Sequence, residues 1–335
     1  MMNKRSLTLL IYILASVFVF VAVVGAVATY SRHRSWKAVR PAAKSPAALA
    51  AEKISQYNKP QTLISVYELH DIMNDPNVLI VDTRGRSFQV FRTTYQVEHI
   101  PGAVPVLHSE YTHPVYFGRI GIPLLIQNNL SKKGFDNKKR IVLYGNDGLQ
   151  GRFYWMLKMY GCDNQVQILD GGIEKWKEAG FPVTGQVAPL TPSRFEFNSL
   201  KAYPNVYTVM EEVVEAVLNP SPDKIIVDTR PRNEFLVGHI PYSVNISFTD
   251  LLNQDGTFKP ARELAAIFNG KGVTPDKTVF VYSKDGVQSS LLWFVLHELL
   301  GYPNVKNYDG GFSEWHFRER VKEFGEERPV AKAAN

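Results

Sequence analysis

The hexapeptide Leu79-Ile80-Val81-Asp82-Thr83-Arg84 is repeated 146 residues later as Ile225-Ile226-Val227-Asp228-Thr229-Arg230. In each copy a short apolar run, rich in β-branched residues, leads into Asp-Thr-Arg. This pattern is typical of a buried strand in a parallel sheet that ends in a polar loop. A parallel sheet needs helices on both faces, so the repeated hexapeptide indicates an α/β fold that occurs twice.

Three further blocks are repeated in the same order, at spacings of 140, 138 and 139 residues. They are Glu98–Pro101 with Gly238–Pro241, Val142–Gly148 with Phe280–Gly286, and Asp170-Gly171-Gly172 before Trp176 with Asp309-Gly310-Gly311 before Trp315. Four blocks in one order at nearly one spacing indicate a duplicated domain.

Within each copy, strand-like and helix-like segments alternate. The first strands are Val78–Asp82 and Lys224–Asp228, and the second are Arg140–Tyr144 and Thr278–Tyr282. Each second strand leads through a glycine-containing loop into a helix, Gly151–Tyr160 or Ser289–Leu300. A third strand, Gln165–Leu169 or Val305–Tyr308, ends in Asp-Gly-Gly before a tryptophan-bearing helix. This alternation predicts two α/β domains, each a parallel sheet flanked by helices on both faces.

The apolar N-terminal run and two proline-containing stretches set the remaining boundaries. The predicted parts are a basic n-region (1–6), a transmembrane anchor or signal peptide (7–29), a juxtamembrane linker (30–61), the first α/β domain (62–184), an interdomain linker (185–205), the second α/β domain (206–318) and a C-terminal tail (319–335).

Residues 7–29 carry no charge, and these 23 residues are enough for a helix to cross a hydrocarbon core of about 30 Å. A cleavable signal peptide is the alternative, because Lys4 and Arg5 precede the run and Ala26-Val27-Ala28 resembles a cleavage site. The length of the run favours an uncleaved anchor. Basic residues after the span favour cytoplasmic domains under the positive-inside rule. Single spans after a basic n-region more often export the domains C-terminal to them, so we expect extracytoplasmic domains, periplasmic in a bacterium.

The formal net charge of +6 is concentrated at the N-terminal end. Residues 1–60 contain nine Lys or Arg and one acid, so that segment is +8 and residues 61–335 sum to −2. The folded part is therefore not a basic surface of the nucleic-acid-binding kind, and we expect no nucleic acid partner.

The sequence contains one cysteine, Cys162. One thiol can form neither a disulfide within the chain nor a metal site built from thiolates. The loops Asn-Asp-Gly-Leu-Gln-Gly and Asp-Gly-Gly match neither a phosphate-binding loop nor a dinucleotide fingerprint. We expect no metal and no cofactor.

The ordered motifs Val-Asp-Thr-Arg, His-Ile-Pro-Gly-Ala, a strand ending in Tyr before a loop and a helix, and Leu-Asp-Gly-Gly-x-x-x-Trp resemble the rhodanese superfamily. The tandem arrangement resembles thiosulfate and 3-mercaptopyruvate sulfurtransferases, over residues 62–184 and 206–318. The resemblance implies a cysteine directly after the strand-ending tyrosine of the second domain, which would carry sulfur as a persulfide. That position is Ser283 here, and the matching position of the first domain is Gly145.

Serine does not replace this cysteine by simple exchange. A thiol with a pKa of about 8.5 supplies thiolate near neutral pH, whereas an alcohol does not. A serine nucleophile would need an adjacent base. His297 is not expected nearby, and His239 is interpreted as a turn-stabilising residue. Cys162 is interpreted as a small, partly buried structural residue, so we assign no catalytic residue.

The segment around Ser283 nevertheless keeps features of an anion site. We name it the Ser283 loop, and it consists of Ser283, Lys284, Asp285, Gly286, Val287, Gln288 and Ser289. Gly286 allows successive N–H groups to point inward, and the following helix N-terminus carries partial positive charge. Lys284 adds a cation, which Asp285 offsets. The alternative is a water-filled turn without a ligand.

Three residues after the repeated strand are candidates to support this loop. Asp228 and Arg230 resemble the family pair that braces the region, and an ion pair at the strand end is their favoured role. Arg232 is a candidate substrate contact. A second departure from the family pattern is Pro241-Tyr242-Ser243, where the resemblance implies Pro-Gly-Ala; tyrosine disfavours a turn that needs positive φ.

These observations favour a membrane-anchored protein without persulfide catalysis of its own, which binds a sulfur or selenium oxyanion or a protein partner. The alternative is a working sulfurtransferase or oxyanion-handling enzyme that uses a partner's thiol or another chemistry. A phosphatase-like use of the loop is least favoured, because Ser283 and Ser289 stand where such enzymes have Cys and Arg. Whether the chain is an enzyme is left open by its sequence.

Overall fold

A computed structural model describes residues 3–35, 43–116, 118–187 and 189–328, and within the first helix it describes the side chains of residues 8, 9 and 11–27. The chain divides into two compact units, Met1–Pro46 and Ala47–Asn335. The first contains α1 (Lys4–Ser35). Among the described residues, no helix is both long and apolar enough to cross a membrane.

The second unit contains both predicted domains. The sheet of the first domain is parallel, with strand order β1-β5-β4-β2-β3. Its strands are β1 (Leu63–Ile64), β2 (Val78–Asp82), β3 (Val104–Pro105), β4 (Arg140–Tyr144) and β5 (Val166–Leu169). Preceded by α2 (Pro46–Ser55), its helices are α3 (Val66–Ile72), α4 (Phe88–Thr93), α5 (Pro123–Lys132), α6 (Leu149–Tyr160) and α7 (Gly172–Glu178).

The second domain repeats this plan with the parallel order β6-β10-β9-β7-β8. Its strands are β6 (Tyr207–Thr208), β7 (Lys224–Asp228), β8 (Ser243–Asn245), β9 (Thr278–Tyr282) and β10 (Val305–Tyr308). Its helices are α8 (Met210–Leu218), α9 (Arg232–Val237), α10 (Ala261–Gly270), α11 (Val287–Phe294), followed by a π-helical turn (Val295–Leu299), and α12 (Gly311–Phe317). The predicted α/β class is confirmed, with two sheets of identical strand order.

The two domains meet where α6 packs against α11. A Cβ atom added to Gly151 would lie 2.6 Å from the Leu291 Cα, so only glycine allows this approach. Phe153 and Trp155 of α6 belong to the same buried cluster as Leu292 of α11. The domains thus share one hydrophobic core, and the loops that precede α6 and α11 are brought to the same interface.

The predicted linker 30–61 is partly built into the second unit. Tyr57 is 3% exposed, and its hydroxyl donates to the Lys259 carbonyl at 2.9 Å. Lys59 forms an ion pair with Glu298 at 2.8 Å. Burial would raise the pKa of Glu298, but hydrogen bonds from His297 and Lys59 lower it to about 2. The end of this linker therefore packs on the second domain.

The start of the C-terminal tail also packs on the second domain. His239 and Glu323 exchange backbone hydrogen bonds at 2.9 and 3.0 Å. Glu323 also accepts from the Tyr242 N–H at 3.2 Å. Tyr242 has φ of 62°, close to the 78° of Gly102 in the first domain. The turn therefore keeps the conformation of the first-domain turn with a bulky residue in it, at a cost of order 1–3 kcal/mol.

Candidate functional site

The Ser283 loop begins directly after β9 and ends in the first turn of α11. Ser283 is fully buried, and its hydroxyl oxygen accepts from the Ser289 hydroxyl at 3.3 Å. Its carbonyl oxygen accepts from the Phe312 N–H at 2.8 Å. A Cβ atom at Gly311 would lie 2.6 Å from that carbonyl oxygen. The glycines of the Asp-Gly-Gly motif thus permit the close contact that fixes the loop.

The loop backbone has the curvature expected of an anion cradle. Gly286 has φ of 76°, and a Cβ atom there would lie 2.6 Å from the Asp309 carbonyl oxygen. Within the described part of the chain, the backbone N–H groups of residues 284–286 have no hydrogen-bond acceptor. They precede α11, whose N-terminus adds partial positive charge. The loop therefore offers free donors where an anion would be stabilised.

Asp228 and Arg230 form the expected ion pair at the end of β7. The Arg230 guanidinium is 2.6 Å from the Asp228 carboxylate and 2.8 Å from the Gly238 carbonyl oxygen. It also lies 3.8 Å from the centroid of the Phe312 ring. The first domain has the same pair, since Arg84 lies 2.7 Å from Asp82. The equivalence of the two pairs favours a bracing role.

Arg232 is placed elsewhere. Its guanidinium pairs with Glu326, and with Glu327 at 3.2 Å, both in the C-terminal segment. These partners direct the side chain toward the tail and not toward the Ser283 loop. Its predicted place beside a substrate finds no support in its contacts.

Two arginines of the first domain reach the Ser283 loop, and sequence reasoning missed both. Arg86 contacts Asp285 at 2.6 Å and Asp147 at 3.0 Å, so it bridges the loops of both domains. Burial acts to raise the pKa of Asp285, but the charge of Arg86 outweighs it and holds the pKa below its usual value. Asp285 is therefore a carboxylate that neutralises part of the positive charge at the loop.

Arg152, on α6, is fully buried beneath the loop. It forms an ion pair with Asp309 and donates to the carbonyl oxygens of Gly286, at 3.3 Å, and Gly118, at 3.1 Å. Three segments thus converge on one guanidinium group. The sequence did contain a signal for this role, since Arg152 directly precedes the apolar run Phe153-Tyr154-Trp155. A charged residue within a buried helix is rarely found without a partner, so a paired arginine could have been predicted there.

The Asp-Gly-Gly aspartates join the two domains. Asp170 of the first domain accepts from the Phe258 N–H of the second at 2.8 Å. Asp309 of the second accepts from the Ile120 N–H of the first at 3.1 Å. Their countercharges are Lys53, at 2.5 Å from Asp170, and Arg152. The repeated motif therefore holds each domain to the other as well as supporting its own loop.

Cys162 lies away from this site. It is 8% exposed and lines a cavity of about 520 Å³ with His297 and Glu298, to which no residue of the Ser283 loop contributes. Burial raises the pKa of the Cys162 thiol to about 12. The neutral thiol that results is a poor nucleophile near neutral pH.

Comparison with known proteins places these features in a family. The model for the rhodanese-like domain matches residues 65–179 and 210–317. "Sulfur carrier protein TtuD" of Thermus thermophilus is 32% identical over 283 residues, covering 77% of this chain and 95% of that protein. A Saccharopolyspora erythraea protein named "Putative thiosulfate sulfurtransferase" is 33% identical over 245 residues, covering 67% of this chain and 83% of that protein.

Solved structures show the same fold. The anaerobic ergothioneine biosynthesis enzyme of Chlorobium limicola superposes with a TM-score of 0.71 at 21% identity, over 80% of this chain and 71% of that one. YnjE superposes with a TM-score of 0.69 at 22% identity, over 82% and 70%. The two family matches together span more than half of the sequence, so this chain belongs to the rhodanese family and carries two rhodanese-like domains in tandem.

Proposed function

We propose that this chain binds a sulfur oxyanion such as thiosulfate reversibly at the Ser283 loop and forms no persulfide of its own. The observation that carries the proposal is the buried Ser283 hydroxyl at the place where the family resemblance puts the sulfur-carrying cysteine. The names of both curated relatives concern sulfur handling, which favours a sulfur oxyanion over phosphate. A selenium oxyanion presents the same charge and the same acceptor atoms to the loop.

The charges around the loop favour weak binding. The free N–H groups, the start of α11 and the exposed Lys284 attract an anion. Arg86 lies at the same place, but Asp285 and Asp147 neutralise it. An oxyanion that binds at the loop therefore competes with the carboxylates of Asp285 and Asp147 for Arg86.

Asp285→Asn is expected to bind thiosulfate about tenfold more tightly than the wild type, a gain of about 1.4 kcal/mol. The amide keeps the shape of the carboxylate but removes one of the two negative charges that neutralise Arg86, so this cation attracts the ligand more strongly. Isothermal titration calorimetry of the full chain in detergent, with thiosulfate and with sulfate, measures the difference. Asp163→Asn is the matched control, because Asp163 pairs with Lys201 at 3.0 Å, away from the loop. Absence of binding by both the wild type and Asp285→Asn would overturn the proposal.

We further propose that α1 anchors the chain in a membrane, with both domains on the extracytoplasmic side. Support comes from the uncharged run 7–29 and from exposed apolar side chains on α1, such as Phe18 at 81% and Phe20 at 71%. A bilayer would cover these side chains. The full chain produced in a bacterial host is expected to stay in the membrane pellet through an alkaline carbonate wash and to dissolve in detergent. Release by the wash would contradict the anchor, and protection from protease in spheroplasts would contradict the orientation.

A further inference from the structure

Five buried side-chain polar atoms of the first domain have no hydrogen-bond partner in the described part of the chain, and two of them belong to neighbouring rings. They are His108 Nε2 and Tyr111 Oη. The residues are 7% and 1% exposed, so bulk water does not satisfy them. Leaving such a group unpaired costs about 1–3 kcal/mol, and buried groups of this kind usually have a partner or a function.

Both side chains lie between the arginines that reach the Ser283 loop. The backbone N–H of His108 donates to the carbonyl oxygen of Gly85 at 2.7 Å, next to Arg86. On the other side, a Cβ atom on Gly118 would lie 3.7 Å from His108 Cε1, and the Gly118 carbonyl oxygen accepts from Arg152. The rings of His108 and Tyr111 meet edge to face, with centroids 5.3 Å apart. The pair therefore stands beside the groups that hold Asp285 and the Gly286 carbonyl.

The electrostatic surroundings suit an anion. Burial, and then the charges of Arg152 and Arg86, lower the pKa of His108 to about 3. Burial also raises the pKa of Tyr111 above its usual value. Both groups are thus neutral near neutral pH, and the phenol hydroxyl has a proton to donate. At the His108 ring the charges of Arg152 and Arg86 outweigh the opposing charge of Asp285, which disfavours a cationic ligand.

We infer that His108 and Tyr111 form the first-domain half of the ligand site and donate hydrogen bonds to an oxyanion held at the Ser283 loop. This inference rests on the proposed function. It predicts that the site selects anions with several acceptor atoms, such as thiosulfate and sulfate, over a monatomic anion such as chloride. Selection arises because the donors of the first domain and those of the Ser283 loop can be satisfied together only by a ligand with more than one acceptor atom.

Tyr111→Phe tests the inference because it removes one hydroxyl and leaves the ring. The full-length variant is expected to bind thiosulfate about tenfold more weakly in calorimetry, equivalent to about 1.4 kcal/mol. Its melting temperature without ligand should not fall, because the lost hydroxyl has no partner to leave unpaired. At a thiosulfate concentration that saturates the wild type, the ligand should raise the melting temperature of the variant by less than it raises that of the wild type. His108→Phe, which keeps an aromatic ring but removes the Nε2 donor, is expected to weaken binding in the same way.

Tyr154→Phe is the matched control. Tyr154 is equally buried, but its ring packs on Phe294 at 4.8 Å, and its charged neighbours are Glu298 and Lys158, not Asp285. This control is expected to bind thiosulfate like the wild type. If the wild type binds and neither Tyr111→Phe nor His108→Phe weakens binding, the inference is overturned while the proposed function stands. If the wild type binds no thiosulfate, the proposed function fails, and the inference fails with it.

Discussion

Replacing Arg152 with alanine is expected to lower the free energy of unfolding by about 3–5 kcal/mol. The guanidinium is fully buried, and its partner Asp309 is 1% exposed. Removing one member of a buried ion pair leaves the other charge without compensation in a medium of low polarity. The carbonyl oxygens of Gly286 and Gly118 each lose one donor at the same time, although Ser290 and Asn307 still donate to that of Gly286. The Ser283 loop and the domain interface should both weaken.

Denaturant unfolding followed by tryptophan fluorescence measures this loss. Arg194→Ala is the control, because Arg194 also pairs with a carboxylate, Glu196, but is 83% exposed. An exposed pair contributes about 0–1 kcal/mol, so that variant should unfold nearly like the wild type. Arg152→Ala combined with Asp309→Ala should lose less than the sum of the single changes, since no unpaired charge remains. Equal stability of Arg152→Ala and Arg194→Ala would show that the buried pair is not what joins the domains.

The duplicated fold was predictable because each motif that defines it is local. The strands Val78–Asp82 and Arg140–Tyr144 were predicted with the ends they have in the structure. Short parallel strands show as apolar runs that end in polar loops, whatever their neighbours are. The packing of α6 on α11 was not predictable in this way. It depends on which faces of two helices 138 residues apart meet, and Gly151 has no local signature that separates close packing from an ordinary glycine.

The same distinction between local features and tertiary contacts applies to the candidate site. The Ser283 loop is contiguous, so one stretch of sequence contained it. Arg86, Arg152, His108 and Tyr111 lie 134 to 199 positions from their neighbours Asp285 and Gly286, and only the tertiary fold brings them together. Sequence proximity misled in the case of Arg232, which comes shortly after the Asp-Thr-Arg motif but pairs with the C-terminal segment.

Ser283→Cys is expected to convert the chain into a thiosulfate:cyanide sulfurtransferase, while the wild type stays at the level of the blank. The new thiolate would attack the outer sulfur of thiosulfate, form a persulfide and release sulfite. Cyanide would then take that sulfur as thiocyanate and regenerate the thiolate. The free loop N–H groups and the start of α11 should lower the thiol pKa, as they do for cysteines at helix N-termini. A rate at least about 100-fold above the blank corresponds to a barrier lower by about 3 kcal/mol.

Asp285 should limit this gain, because a carboxylate in the loop raises the pKa of a neighbouring thiol. Adding Asp285→Asn to Ser283→Cys is therefore expected to increase the rate further at neutral pH and to shift its pH dependence to lower pH. The measurement is thiocyanate formation by the full chain in detergent, across a pH series.

Ser289→Cys is the matched control for this gain. Ser289 is as buried as Ser283, and its hydroxyl lies 3.3 Å from that of Ser283. It stands inside α11, however, beyond the turn that presents the free N–H groups. A thiol at this position should therefore stay inactive, and equal activity of the two cysteine variants would mean that any thiol near the loop suffices.

Thiocyanate from the wild type itself would contradict the absence of persulfide catalysis, and Cys162→Ser would then show whether the one native thiol is responsible. If Ser283→Cys forms no thiocyanate, the loop has lost its anion-binding N–H cradle as well as the nucleophile. The proposed oxyanion site would then lose its main physical support.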